Sequence, residues 1–167
     1  MRWFTREWSD LPEAEARERR EAYWRQVEEM ELPDGLRRLA RQGLDGAVLR
    51  RVLVDRRIGQ LVLFFHHADA GRPLELEVLY HRADLERVDL EALRSLTQEG
   101  GTEVLGSEVE LEEDGAPKGG ATAPRPLHRL LLRAAGGAET LELELPFREA
   151  AVVERPAAEV GSTGGRP

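Results

Sequence analysis

A chain of 167 residues without a single cysteine excludes disulfide frameworks, thiolate metal sites and cysteine nucleophiles at once. Its 32 Asp and Glu outweigh 24 Lys and Arg, and a formal net charge of −8 disfavours nucleic acid as a partner. The opening residues Met1 to Glu7 hold no apolar core of signal-peptide length, and no run approaches ~20 apolar residues, so a cytoplasmic location without membrane attachment is expected.

The first predicted element is a helix from about Glu13 to Met30. Ser9 or Asp10 would cap it, Pro12 suits its first turn, and Ala16, Tyr23, Val27 and Met30 recur on one face. Glu13 with Arg17, Glu15 with Arg19 and Glu21 with Arg25 stand at the favourable i,i+4 spacing. Leu32-Pro33-Asp34 interrupts the pattern, and a shorter helix capped by Asp34 runs through Arg41 to a stop at Gly43. From Ala47 the period falls to two. Ala47 to Val54, Gln60 to His67 and Pro73 to His81 predict an antiparallel meander with short turns. Asp89 then caps a short helix with Leu90, Leu93 and Leu96 as its apolar stripe.

A second strand group follows Gly100-Gly101. In Glu103 to Glu112 the residues Leu105, Val109 and Leu111 share one side. After a Gly-, Pro- and Ala-rich loop over 114–125 come Leu127 to Arg133 and Thr140 to Phe147, with Ala150 to Glu154 as an edge strand that Pro156 breaks. Helices first, then two strand groups with a helix between them, predict an α+β fold. The expected layout is one domain over 1–154, with N-terminal helices on an antiparallel sheet of about six or seven strands, and a disordered tail over 155–167.

Chemistry-bearing motifs are absent from this pattern. The segment Gly115-Ala116-Pro117-Lys118-Gly119-Gly120 contains the chain's one lysine but lacks the order of a phosphate-binding loop and precedes a strand. Ser9, Ser95, Ser107 and Ser162 lack the G-x-S-x-G context of a hydrolase elbow. His66 and His67 are adjacent on a strand and point to opposite faces, so they cannot share a metal. With His81 and His128 they are read as surface or strand-end residues, and neither metal nor cofactor is predicted. Glu75 and Glu77 share one strand face, as do Glu108, Glu110 and Glu112, and again Glu142 and Glu144. Were those strands neighbours, they would present one acidic surface to a basic protein partner. Trp3, Phe4, Trp8, Tyr23 and Trp24 form an aromatic cluster expected to anchor the N-terminal segment. Tyr23 and Trp24 are adjacent on a helix, so one of them faces outward, and an exposed Trp24 is a candidate contact for a partner.

The opening Trp3-Phe4-Thr5-Arg6-Glu7-Trp8, the stretch Leu44-Asp45-Gly46-Ala47-Val48-Leu49, and the later Leu127-His128-Arg129-Leu130-Leu131-Leu132 and Leu141-Glu142-Leu143-Glu144-Leu145 carry a resemblance. Together they resemble an uncharacterised bacterial domain family of unknown function. Its members open with an aromatic-Phe-Thr-basic-Glu segment followed by a helix and a meander of short strands. Gly46 and the 113–125 loop depart from that pattern, and the resemblance implies a fold but no reaction. The favoured expectation is therefore a non-catalytic protein-binding module, in the manner of an immunity protein that neutralises a toxin. Its contacts would be Glu75, Glu77, Glu142, Glu144 and Trp24. The alternative is a small-ligand binder or enzyme that uses strand carboxylates and a histidine. It requires an internal pocket with one buried, strongly perturbed titratable group.

Overall fold

The structure, a computed structural model, describes residues 3–5, 7, 10–30, 32–69, 72–98, 101–112, 125–134, 137 and 140–157. Expectations for Trp8, Ser9, Lys118, Ser162, most of the 114–125 loop and the tail beyond 157 lie outside the described residues. Those described form helices α1 (Glu13–Glu29), α2 (Asp34–Arg41) and α3 (Leu90–Gln98). Their strands are β1 (Val48–Asp55), β2 (Gln60–Asp69), β3 (Arg72–His81), β4 (Thr102–Glu112), β5 (Arg125–Ala134), β6 (Thr140–Pro146) and β7 (Glu149–Pro156). The fold is α+β with a seven-stranded antiparallel sheet. None of the described helices is long and apolar enough to cross a membrane.

Local chemistry explains the element ends, with several corrections. Asp89 caps α3 as expected, its Oδ1 accepting from the Ala92 amide at 2.9 Å. Pro12 and Pro33, by contrast, occupy the N-cap positions of α1 and α2. Asp34 is the first residue of its helix and makes no capping bond. The expected i,i+4 ion pairs of α1 do not form among the described residues. Arg19 reaches the Trp3 carbonyl and Arg25 the Glu21 carbonyl, because backbone acceptors at fixed positions compete with mobile, solvated carboxylates. Strand β7 runs on to Pro156 rather than ending at Glu154, since a proline without an N–H is tolerated at the end of a pairing ladder.

The strand order is β6-β5-β4-β1-β2-β3-β7, so the two outermost strands are consecutive in the chain. Only Phe147 and Arg148 separate β6 from β7. Two residues span so little that the sheet has to curl until its edges meet. One backbone bond crosses the seam, from the Asp84 N–H just after β3 to the Pro146 carbonyl at the end of β6 at 2.9 Å, while Phe147 N–H to Pro126 and Arg148 N–H to His81, both at 3.1 Å, tie the two bend residues to β5 and β3 on either side. The inward faces of the two strand groups thereby oppose one another and form the core, with Leu61, Leu63, Phe65, Leu76, Val78 and Tyr80 from one and Leu130, Leu132, Leu143, Leu145 and Phe147 from the other.

Closure is incomplete on the other side. Strands β1 and β4 pair at Val48–Glu103 and Leu49–Thr102, with two further backbone bonds linking Gly46 and Ala47 to Val104, and then part. The helices close this split. Tyr23 and Val27 of α1 and Leu36, Leu39 and Ala40 of α2 bury their apolar faces there, and the Tyr23 hydroxyl accepts the Val109 amide at 2.7 Å. Helix α2 also packs against β7, covering the edge that the sequence left open for pairing between chains. Gly35 makes that approach possible, since a Cβ there would stand 2.5 Å from the Ala150 carbonyl oxygen. Gly35→Ala is expected to force α2 off β7 and to cost roughly 1–3 kcal/mol, read as a lower urea midpoint at unchanged m-value.

Candidate functional site

The β3 pair Glu75 and Glu77 is not brought together with the β6 pair Glu142 and Glu144, whereas Glu110, Glu112 and Glu144 gather around Arg87 and Arg129. Glu75 and Glu77 lie on the outer face of β3, whose neighbours are β2 and β7, while Glu142 and Glu144 lie on β6 beside β5. Arginines are interleaved with them. Arg155 meets Glu77 at 3.1 Å, Arg129 meets Glu144 at 2.8 Å and also pairs with Glu110, and Arg87 meets Glu112 at 2.7 Å. Adjacent strands thus compensate most of the charge that each strand shows alone. Glu108 departs further from the solvated face expected for it. It is fully buried, and its Oε2 accepts the backbone amides of Trp3 at 2.8 Å and Phe4 at 3.3 Å. That clasp fixes the N-terminal segment against β4.

The aromatic pair on α1 divides as its spacing requires. Tyr23 is buried, packing edge-on against Phe4 with centroids 5.3 Å apart, whereas Trp24 is 43% exposed. A hollow of about 520 Å³ on the outer sheet face is framed by Arg50, Arg51, Phe64, His66, Glu75, Glu77 and Arg155. Several of its charges already have partners. Arg51 stacks 4.0 Å over Phe64, and His66 lies 4.0 Å from Glu75.

A second cavity sits at the split between β1 and β4. It measures about 310 Å³, at the lower end of the small-molecule range. Phe4, Tyr23 and Trp24 supply aromatic wall, and Ala40 and Gly43 come from α2 and its end. Four polar side chains from separate parts of the chain converge on it: Arg20 of α1, Asp45 before β1, His67 of β2 and Ser107 of β4. Arg20 Nη2 meets Asp45 Oδ2 at 2.9 Å. Burial raises the Asp45 carboxyl above its ordinary value, and the charges of Arg20 and His67 oppose that rise. The His67 Nδ1 is a buried atom without a hydrogen-bond partner among the described residues.

Behind Ser107 lies a buried polar chain. Ser107 Oγ is 2.8 Å from His128 Nε2, and His128 Nδ1 is 2.6 Å from the Tyr80 hydroxyl. His128 and Tyr80 are both inaccessible to solvent, which corrects the reading of His128 as a surface residue. Burial pulls the His128 imidazole down from 6.5 to about 3 and pushes the Tyr80 phenol well up. A β-bulge between Val104 and Gly106 sets this geometry. It lets Thr102 and Val104 face inward and still leaves Ser107, Val109 and Leu111 on the inward side. His128 shares the parity of Leu130 and Leu132, a signal present in the sequence but masked by Leu127 and Leu131 on the opposite parity.

Among the described residues no group of three or more His, Asp or Glu side chains is placed to hold a metal ion. Comparisons with protein-family models, with curated proteins and with solved structures found no match.

Proposed function

We propose that this chain is a small-ligand-binding domain whose site is the cavity at the β1–β4 split. The observation that carries the reading is the convergence of Arg20, Asp45, His67 and Ser107, from separate parts of the chain, on one aromatic-walled cavity. Side chains that only solubilise a surface do not need such convergence, whereas a site that fixes a ligand's orientation does. A fragment screen by amide NMR is expected to shift the resonances of Tyr23, Trp24, His67 and Ser107. Asp45→Asn is expected to weaken polar hits by about tenfold, the weight of one charge-assisted hydrogen bond. Hits confined to the outer face around Phe64 and His66 would move the site away from the split.

A basic protein partner is the second reading, and exposed Trp24 beside Glu28 and Arg41 supports it. Reversing charge at Glu75, Glu77, Glu142 and Glu144 should abolish capture of such a partner at low salt. Unchanged capture removes the acidic residues from its interface.

A further inference from the structure

Resting on the cavity reading, we propose that the ligand is a small apolar primary carboxamide. Its carbonyl oxygen accepts from the Ser107 and Tyr23 hydroxyls, its amide N–H groups donate to Asp45 and His67 Nδ1, and its apolar part lies against Phe4 and Trp24.

Two hydroxyls at one stretch of β4 have protons to give. The Tyr80 hydroxyl is fully buried, and among the described residues its hydrogen-bond partner is His128 Nδ1 at 2.6 Å. A buried O–H that donates to nothing is costly, so its proton is turned onto Nδ1. Burial keeps His128 neutral, and its single imidazole proton is then on Nε2 and donates to Ser107 Oγ at 2.8 Å. Ser107 accepts from the interior and keeps its own proton. Tyr23 is placed alike: its hydroxyl accepts the Val109 amide at 2.7 Å, and no described residue accepts its proton. Both side chains border the cavity, where those protons find an acceptor. With Nε2 protonated there is no lone pair to receive the Ser107 proton, so Ser107 is a donor and not an activated nucleophile.

The acceptors of the cavity complete the match. His67 Nδ1 is buried and unpartnered among the described residues, and Asp45 meets Arg20 through Oδ2, which leaves Oδ1 for a ligand. A primary carboxamide carries one oxygen with two lone pairs and two N–H donors, which answer two hydroxyls and two acceptors group for group. Arg20 is engaged beyond Asp45 as well, and no ligand contact rests on it.

Charge favours an uncharged ligand. Burial raises the Tyr23 phenol, the Val109 amide pulls it back, and the charges of Glu108, Glu110 and Asp45 raise it further. The cations set against those carboxylates are Arg20 on Asp45, Arg129 on Glu110 and 3.8 Å from Glu108, and His67 when protonated. They at most balance the carboxylates, so a field that resists a phenolate resists an anionic ligand at the same oxygen. An ammonium ligand brings no lone pair for either hydroxyl. The aromatic walls accept an apolar group, and about 310 Å³ suits a molecule of this size better than a nucleotide.

Calorimetry on the parent protein tests this with hydrocinnamamide, hydrocinnamate and phenylpropylamine, three heads on one apolar body. The amide is expected to bind at least about tenfold more tightly than either charged analogue. Ser107→Ala and Tyr23→Phe should each weaken the amide by about fivefold, the weight of one neutral hydrogen bond, and melting of each variant checks that it is folded. A charged analogue that binds as well as the amide overturns the carboxamide and leaves the cavity standing as a ligand site. Amide affinity unchanged in both folded variants overturns it as well. Failure of all three probes overturns it too, and the fragment screen then decides the cavity separately. Covalent labelling of Ser107 by a fluorophosphonate overturns the donor assignment.

Discussion

Acidification from pH 6.5 toward 3 is expected to destabilise this protein steeply, and His128→Gln should remove most of that slope above pH 4.5. The unfolded chain protonates this imidazole near 6.5, but the folded chain resists until about 3 because burial strips the charged form of its hydration. Within that window the unfolded state binds more protons, so stability rises with pH and is lost as pH falls. The slope approaches about 1.4 kcal/mol per pH unit, and the whole window amounts to roughly 5 kcal/mol, comparable to the total stability of many domains. Above pH 6.5 the contribution is flat. Glu112 and Glu154, whose carboxyls are held below 4.5 chiefly by hydrogen bonds from Arg87 and Arg38, add their own loss only further into acid. The difference in urea midpoints between the parent protein and His128→Gln, taken between pH 7.5 and 5, isolates the histidine from Asp45, whose raised carboxyl works in the opposite direction. A flat difference there would show that His128 is charged or solvated in the folded state.

Phe147→Ala is expected to cost about 3–5 kcal/mol, the range for emptying a buried aromatic site. Phe147 is fully buried at the two-residue bend where the sheet edges meet, and its ring packs edge-on against Tyr80 with centroids 5.2 Å apart. Its loss leaves a void at the seam beside the Tyr80–His128 pair, so repacking from either side is limited. Val153→Ala on the outer face of β7 is the matched control. That residue is 40% exposed, and its truncation should stay within about 0.5 kcal/mol. Calorimetric melting of both variants at one pH checks the contrast. A Phe147→Ala cost below about 1 kcal/mol would mean that the edges are not held together by this bend.

Arg20 and Asp45 show how little of the candidate site is legible in the chain. They are 25 residues apart in sequence, one among the many arginines of a helix and the other in a turn, and they meet at 2.9 Å because α1 folds over the β1–β4 split. Ser107 lacked every sequence mark of a reactive serine, and its importance comes from the histidine behind it. Trp24 was legible, because adjacent positions on a helix cannot both face the core.

What the sequence by itself determined is local: three helices, the two strand groups, the turns between them and the parity of most inward rows. Helical spacing at Tyr23 and Val27, alternation along Leu141 to Phe147, and a glycine at positive φ in the β1–β2 turn (Gly59, φ 62°) are properties of neighbouring residues, so a short window suffices to read them. Only the tertiary structure decided that β6 and β7 lie at opposite ends of one sheet, that the glutamates fall into separate, arginine-compensated sets, and that His128 and Tyr80 meet across the interior. Parity says which side of a strand a residue occupies but not what stands across the core. A polar residue in an inward row therefore looks the same in sequence whether it is exposed at a strand end or, like His128, buried with a partner on a distant strand.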